Sequence, residues 1–153
     1  MVSSAGTKAP EFELKDSAGQ VHKLSDYRGQ TIVVYFYPKD DTPGCTKEAC
    51  SFRDAYQDFR EAGVEIIGIS PDSETSHSKF SEKYDLPFTL LADPDHQVCE
   101  AFGVWGLKKY MGREYEGVYR TTFIIDPEGV IKRVFENVKP SEHSHEVLEE
   151  VTA

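Results

Sequence analysis

Two stretches of this chain are apolar at consecutive positions rather than at alternate ones: Thr31-Ile32-Val33-Val34-Tyr35-Phe36-Tyr37 and Val64-Glu65-Ile66-Ile67-Gly68-Ile69-Ser70. A strand alternates its side chains between two faces, so a run of this kind must be covered on both. Between the two runs the apolar period changes. Cys45, Ala49, Phe52, Tyr56 and Phe59 fall on one face at about 100° per residue. Two doubly covered strands joined by an amphipathic helix restrict the chain to layered α/β architectures.

The remaining segments fit that frame. Phe12-Glu13-Leu14 and Val21 to Leu24 alternate around Ser17-Ala18-Gly19, which reads as an N-terminal hairpin, after a loose lead-in from Met1 to Ala9. Ser73 to Tyr84 has a helical pattern capped by Asp72 or Ser73, and Pro87 to Leu91 reads as a short strand. A short helix is expected from Asp95 to Phe102. Thr121 to Ile125 and Val130 to Phe135 form strands around the Asp126-Pro127-Glu128-Gly129 turn, and Pro140 to Val151 reads as a last helix. Val104 to Tyr119, rich in Gly, Lys and Tyr, gives no clear pattern. Strands alternating with helices, closed by an antiparallel hairpin, give a central mixed β-sheet flanked by helices in a thioredoxin-like arrangement, with residues 1–153 as one domain.

A formal net charge of -10 argues against nucleic-acid or anionic-membrane partners. No apolar run is long enough to span a bilayer and the N-terminus has no signal-peptide pattern, so a reducing cytoplasm is expected. Three cysteines are too few for a secreted disulfide scaffold, and any disulfide in that compartment would be transient.

The chemistry is expected after the first buried strand, in Pro38-Lys39-Asp40-Asp41-Thr42-Pro43-Gly44-Cys45-Thr46-Lys47-Glu48-Ala49-Cys50. Thr42 suits an N-cap and Pro43 the first helical position, which places Cys45 in the first turn. There the free backbone N–H groups and the helix dipole favour a thiolate. In such sheets, sites form at the carboxyl ends of strands. Lys39 and Lys47 oppose Asp40, Asp41 and Glu48, so local charge gives the sulfur no net help, and a cation from elsewhere is needed. Arg120, at the start of an inner strand, is the candidate. Cys50 lies about 140° round the helix from Cys45, and five residues of α-helix separate their Cα atoms by about 8.6 Å. A disulfide needs less than about 7 Å. A Cys45–Cys50 bond therefore requires the first turns to unwind.

The run Pro38-x-x-x-Thr42-x-x-Cys45 resembles the active-site pattern of peroxiredoxins, and a second cysteine at Cys50 resembles the bacterioferritin comigratory protein, or BCP/PrxQ, subfamily. The likeness extends through Asp93-Pro94-Asp95-His96-Gln97-Val98-Cys99, Phe102-Gly103-Val104-Trp105-Gly106 and Arg120-Thr121-Thr122-Phe123-Ile124-Ile125-Asp126. It implies a thioredoxin-like fold and a monomeric thiol peroxidase without metal, haem or flavin. It implies that Cys45 is the peroxidatic cysteine and is oxidised to a sulfenic acid by hydrogen peroxide or an organic hydroperoxide. Cys50 would resolve that acid to an intramolecular disulfide, the atypical 2-Cys scheme, and thioredoxin or in some members glutaredoxin would reduce it. Thr42 would bond the thiolate and peroxide oxygens. Pro38, Pro43 and Gly44 would line the substrate pocket, with the prolines shielding the sulfur, and Arg120 would hold thiolate and peroxide.

Read without that resemblance, Cys45 is as open to a packing role as to a functional one, Cys50 reads as packing more readily than as chemistry, and Cys99 reads as a structural core residue. Trp105 and Tyr110 read as packing or loop residues. His143 and His145 lie two apart on a helix expected to be exposed, which does not suit a metal site. A thiol-based redox sensor needs the same sulfur chemistry but would not turn over. A thioredoxin-like disulfide oxidoreductase would carry C-x-x-C, whereas four residues separate Cys45 from Cys50 here.

Overall fold

The structure, a computed structural model, describes residues 2–136 and 138–152. Seven strands form one sheet in the order β2-β1-β5-β4-β3-β8-β9. They are β1 (Glu13–Asp16), β2 (Val21–Lys23), β3 (Thr31–Phe36), β4 (Val64–Ser70), β5 (Thr89–Ala92), β8 (Thr121–Ile125) and β9 (Ile131–Glu136). The β3–β4 and β4–β5 pairs are parallel, and β1–β2, β1–β5, β3–β8 and β8–β9 are antiparallel. The sheet is mixed, as the sequence pattern requires.

The double-faced run of β3 divides the core. Val33, Tyr35 and Tyr37 pack with Cys45, Ala49, Phe52 and Phe59 of α1 (Pro43–Glu61), Phe80 of α2 (Glu74–Tyr84) and Val147 of α4 (His143–Thr152). Ile32, Val34 and Phe36 pack on the other side with Val98 and Cys99 of α3 (Gln97–Ala101), Phe102, Val104 and Phe123. The five apolar helix positions read from the sequence face the sheet, four of them fully buried and Tyr56 half-buried. Ser73 caps α2, its side chain accepting from the Ser76 N–H, and Asp85 ends that helix in the left-handed conformation.

Three segments differ from expectation. The lead-in is tied down rather than loose: Ser3 N–H donates to Phe102 C=O, Gly6 N–H to Ile131 C=O and Ala9 N–H to Gly129 C=O, and Lys8 bridges Val130. Backbone bonds of this kind carry no side-chain signature. The unpatterned stretch forms a separate two-stranded sheet, β6 (Trp105–Tyr110) with β7 (Arg113–Val118). It lacks an apolar period because nearly all of it is exposed or half-buried. His143 was expected on an exposed helix, yet it is fully buried and sits between Phe52 and Phe135. Its Nε2 lies 2.6 Å from Thr122 Oγ1 and its Nδ1 2.5 Å from Glu146 Oε1. Among the described residues no helix is long and apolar enough to cross a membrane.

Candidate active site

The site grows out of strand register. β8 runs antiparallel to β3 with Thr121 opposite Phe36, so Arg120 enters the sheet beside the point where β3 gives way to the Pro38–Thr42 turn. A residue 75 positions away in sequence is thereby brought to the first turn of α1.

The turn itself is held from α2. Asp41 adopts a left-handed backbone, φ 56°, a conformation that aspartate tolerates better than most residues. Its carboxylate accepts from Lys83 Nζ at 2.8 Å and from Tyr84 Oη at 2.7 Å. The preceding Asp40 is buried and accepts from Tyr37 Oη and Ser76 Oγ. These contacts fix where α1 begins.

Thr42 occupies the N-cap and Pro43 the first helical position, as expected. The Thr42 hydroxyl, however, does not cap the helix. It donates to Lys39 C=O at 2.9 Å, so its proton is committed and its oxygen lone pairs remain to accept. A capping hydroxyl would have the opposite arrangement, its oxygen engaged and its proton free. Pro38 is half-buried, whereas Pro43 is exposed, so the expected shielding by two proline rings is not shared equally. Gly44 is where the helix start meets its surroundings. A Cβ there would stand 3.1 Å from Arg120 Nη2 and 3.8 Å from Pro140 Cγ. Pro140 thus stands near this turn, although the two segments are 96 residues apart and no local pattern announces it.

Cys45 is 1% exposed and lies on the core face of α1. Arg120 Nη2 donates to its Sγ at 3.2 Å. The other guanidinium arm, Nη1, donates to Glu48 Oε1 at 2.9 Å. Glu48 is fully buried, and burial drives its carboxyl up to about 7 although Arg120 pulls it down. Sequence reasoning counted Glu48 only as adverse local charge. Its position three residues after Cys45 was the available signal, since that spacing puts both on the same helix face. Lys108 of β6 is a second cation that the sequence did not single out. Its ammonium donates to Val118 C=O at 2.9 Å and lies within Coulomb reach of Arg120 and Cys45.

Cys50 is half-buried, and both cysteines are free thiols within an unbroken α1. Cys50 opens onto a cleft of about 410 Å³ between α1 and α4, beside Lys47, Ser51, Asp54, Ser144 and His145. Cys99 is fully buried on the opposite side of the sheet, with Asp93 accepting from its N–H. Burial, reinforced by Asp93, holds its thiol well above the ordinary range, which makes it a poor nucleophile. The structure therefore brings Cys45, Thr42, Gly44 and Arg120 together at one helix start and sets Cys50 at its margin. The assembly offers a guanidinium and a helix N-terminus to a buried sulfur.

Comparison with known proteins agrees with this geometry. The AhpC/TSA family model matches residues 5–134. The chain is 53% identical over 149 residues to peroxiredoxin Bcp of Bacillus subtilis 168, covering 97% of this chain and 95% of that one. It is 51% identical over 144 residues to peroxiredoxin Bcp of Escherichia coli K12, covering 94% and 92%. Among solved structures it matches the bacterioferritin comigratory protein of Xanthomonas campestris with a TM-score of 0.90 at 36% identity, over 97% of this chain and 98% of that one. A PrxQ variant from Xylella fastidiosa superposes with a TM-score of 0.92 at 33% identity, over 99% and 96%. The chain belongs to the AhpC/TSA family, as a peroxiredoxin of the Bcp/PrxQ type and hence a thiol peroxidase.

Proposed function

We propose that Cys45 is the peroxidatic thiol and Cys50 the resolving thiol of an atypical 2-Cys cycle. The observation that carries the reading is the 3.2 Å contact between Arg120 Nη2 and Cys45 Sγ at the first turn of α1. The Cys45 thiolate attacks the terminal oxygen of a hydroperoxide, and the O–O bond breaks. The sulfur loses two electrons and becomes a sulfenic acid, while the leaving oxygen takes a proton and departs as water or an alcohol. Arg120 offers its donors to the sulfur and the developing oxyanion together, and Thr42, with its oxygen lone pairs open, accepts a hydrogen bond from the O–H of the peroxide, whose proton stays on the oxygen transferred to sulfur. Pro38, Pro43 and Gly44 line the approach.

Cys50 then attacks the Cys45 sulfur, water leaves, and a disulfide forms. Both cysteines lie in one helix, so α1 must open at its N-terminus for this step. An external dithiol reduces the bridge. Thioredoxin fits that role, with glutaredoxin as a further donor. Substrates are hydrogen peroxide and organic hydroperoxides. The latter is supported by the alkyl peroxide reduction named for the Xanthomonas campestris relative. The protein acts in the cytoplasm as a single-domain monomer, without a metal or organic cofactor.

The test is peptide mapping by mass spectrometry after one equivalent of hydrogen peroxide and rapid alkylation. The expected product is a Cys45–Cys50 linkage with Cys99 alkylated. Sulfenic acid at Cys45 with Cys50 free would mean a one-cysteine cycle. Three unreacted thiols would end the assignment.

A further inference from the structure

Arg120 serves two acids at once, Glu48 through Nη1 and Cys45 through Nη2. Glu48 and Cys45 sit one helical turn apart, 0% and 1% exposed. Glu48 Oε2 has no hydrogen-bond partner among the described residues, and neither does the buried hydroxyl of Tyr35. A partnerless buried oxygen costs an ionised carboxylate far more than a neutral acid. One cation facing two buried acids has room for one negative charge.

We infer that Glu48 is a positioning residue that tunes Cys45 through Arg120: the two acids share one proton, so that Cys45 is a thiolate when Glu48 is protonated and is held as a thiol when Glu48 is ionised. The inference rests on the reading of Cys45 as the peroxidatic thiol. It uses a carboxylate that the peroxide chemistry leaves unassigned.

The other charged or titratable groups around the pair do not replace it. Tyr35, from β3, stays protonated because burial pushes it well above its ordinary range, with Glu48 adding to the effect. Lys108, from β6, keeps a fixed contact with Val118 C=O. His143, from α4, is shifted down by burial and stays neutral near pH 7. Asp40, from the turn after β3, is engaged by Tyr37, Ser76 and His77. Glu48 rises to about 7, inside the interval where a reactive thiol must ionise.

The experiment is the pH profile of Cys45 alkylation, read by mass spectrometry in the wild type and in Glu48→Gln, with peroxide consumption followed on the same samples. Glutamine keeps the shape and an acceptor for Arg120. The midpoint of Glu48→Gln is expected about one pH unit below the wild type, so between the two midpoints it alkylates up to about tenfold faster. Superimposable profiles would overturn the inference and leave the role of Cys45 intact. The coupling is reciprocal. Cys45→Ser should therefore lower the midpoint of Glu48 itself, followed by the infrared band of its buried carboxylic acid, identified by its absence in Glu48→Gln. An unmoved band would also overturn it. Peroxide consumption retained by Cys45→Ser would remove the peroxidatic reading, and the tuning with it.

Discussion

Asp40 Oδ2 lies 2.7 Å from His77 Nδ1, a contact between two buried side chains 37 residues apart. The other imidazole nitrogen meets Leu91 C=O at 3.0 Å, which can only accept, so Nε2 carries a proton. Asp40 also takes the hydroxyls of Tyr37 and Ser76. The turn that launches α1 is therefore tied to α2 by two carboxylates, the buried Asp40 and the exposed Asp41. Asp40→Ala leaves two buried polar groups, Tyr37 Oη and His77 Nδ1, and the half-buried Ser76 hydroxyl without their partner. Its expected cost is about 3–5 kcal/mol in urea unfolding, together with a slower reaction with peroxide. Stability within about 0.5 kcal/mol of the wild type would contradict this, since that is the range of a surface change.

Arg120→Lys tests whether a forked cation is needed. A lysine ammonium is a point charge and cannot span Glu48 and Cys45 in the same way. The single-turnover rate of Cys45 oxidation by hydrogen peroxide is expected to fall about 10²–10³-fold, the usual loss for an oxyanion donor. A drop of less than about threefold would show that positive charge alone suffices.

The strands and helices that cover the sheet were legible because their burial leaves a period. β3 and β4 read as apolar on both faces, and α1 and α2 as stripes with recognisable starts at Thr42 and Ser73. The β6–β7 ribbon was not, because Leu107, Tyr110, Met111 and Tyr115 are apolar yet exposed, so composition and burial are uncoupled there. Glu48 was misjudged for the opposite reason. A glutamate is almost never fully buried unless paired, and its partner, Arg120, lies 72 residues away. Arg120 itself was recoverable only through the charge deficit around Cys45 and the family pattern. His143 follows the same logic: its buried partner Thr122 is on another element.

Gly44→Ala should separate stability from activity. Alanine is the better helix residue by up to about 1 kcal/mol. Its methyl would stand 3.1 Å from Arg120 Nη2, on a guanidinium already bound on both arms. The melting temperature is expected to hold or rise while the rate with peroxide falls about tenfold, since small displacements of a positioned group are costly. An unchanged rate would mean that Arg120 yields without losing Cys45.

Oxidation should open α1 only up to a defined point. Ser51 Oγ is hydrogen-bonded to Ser144 Oγ, Phe52 packs edge-on against His143, and Arg53 Nη1 donates to Tyr84 C=O at 2.8 Å. These contacts pin the helix just beyond Cys50. Amide exchange measured on the disulfide form is expected to rise from Thr42 to about Cys50 and to stay low from Phe52 onward. In Ser144→Ala the exchanging segment should extend by about one turn. Identical exchange in reduced and oxidised protein would refute the unwinding required by the Cα separation.

The buried carboxylate also sets a stability profile against pH. Burial raises Glu48 to about 7 in the folded state from an ordinary 4.5. The folded chain thus binds the extra proton between those values, and stability is lost as pH rises through the interval. The penalty above pH 7 is of order 3 kcal/mol. Burial lowers His143 in the folded state, which has the opposite sign: its contribution is present above about 6.5 and is lost as pH falls below it. Glu48→Gln removes only the first effect. It should match the wild type near pH 4.5 and exceed it by a growing margin up to pH 8, measured as urea midpoints with the cysteines reduced. A gap that stays constant with pH would mean that Glu48 is ionised throughout, with Arg120 compensating its charge in full.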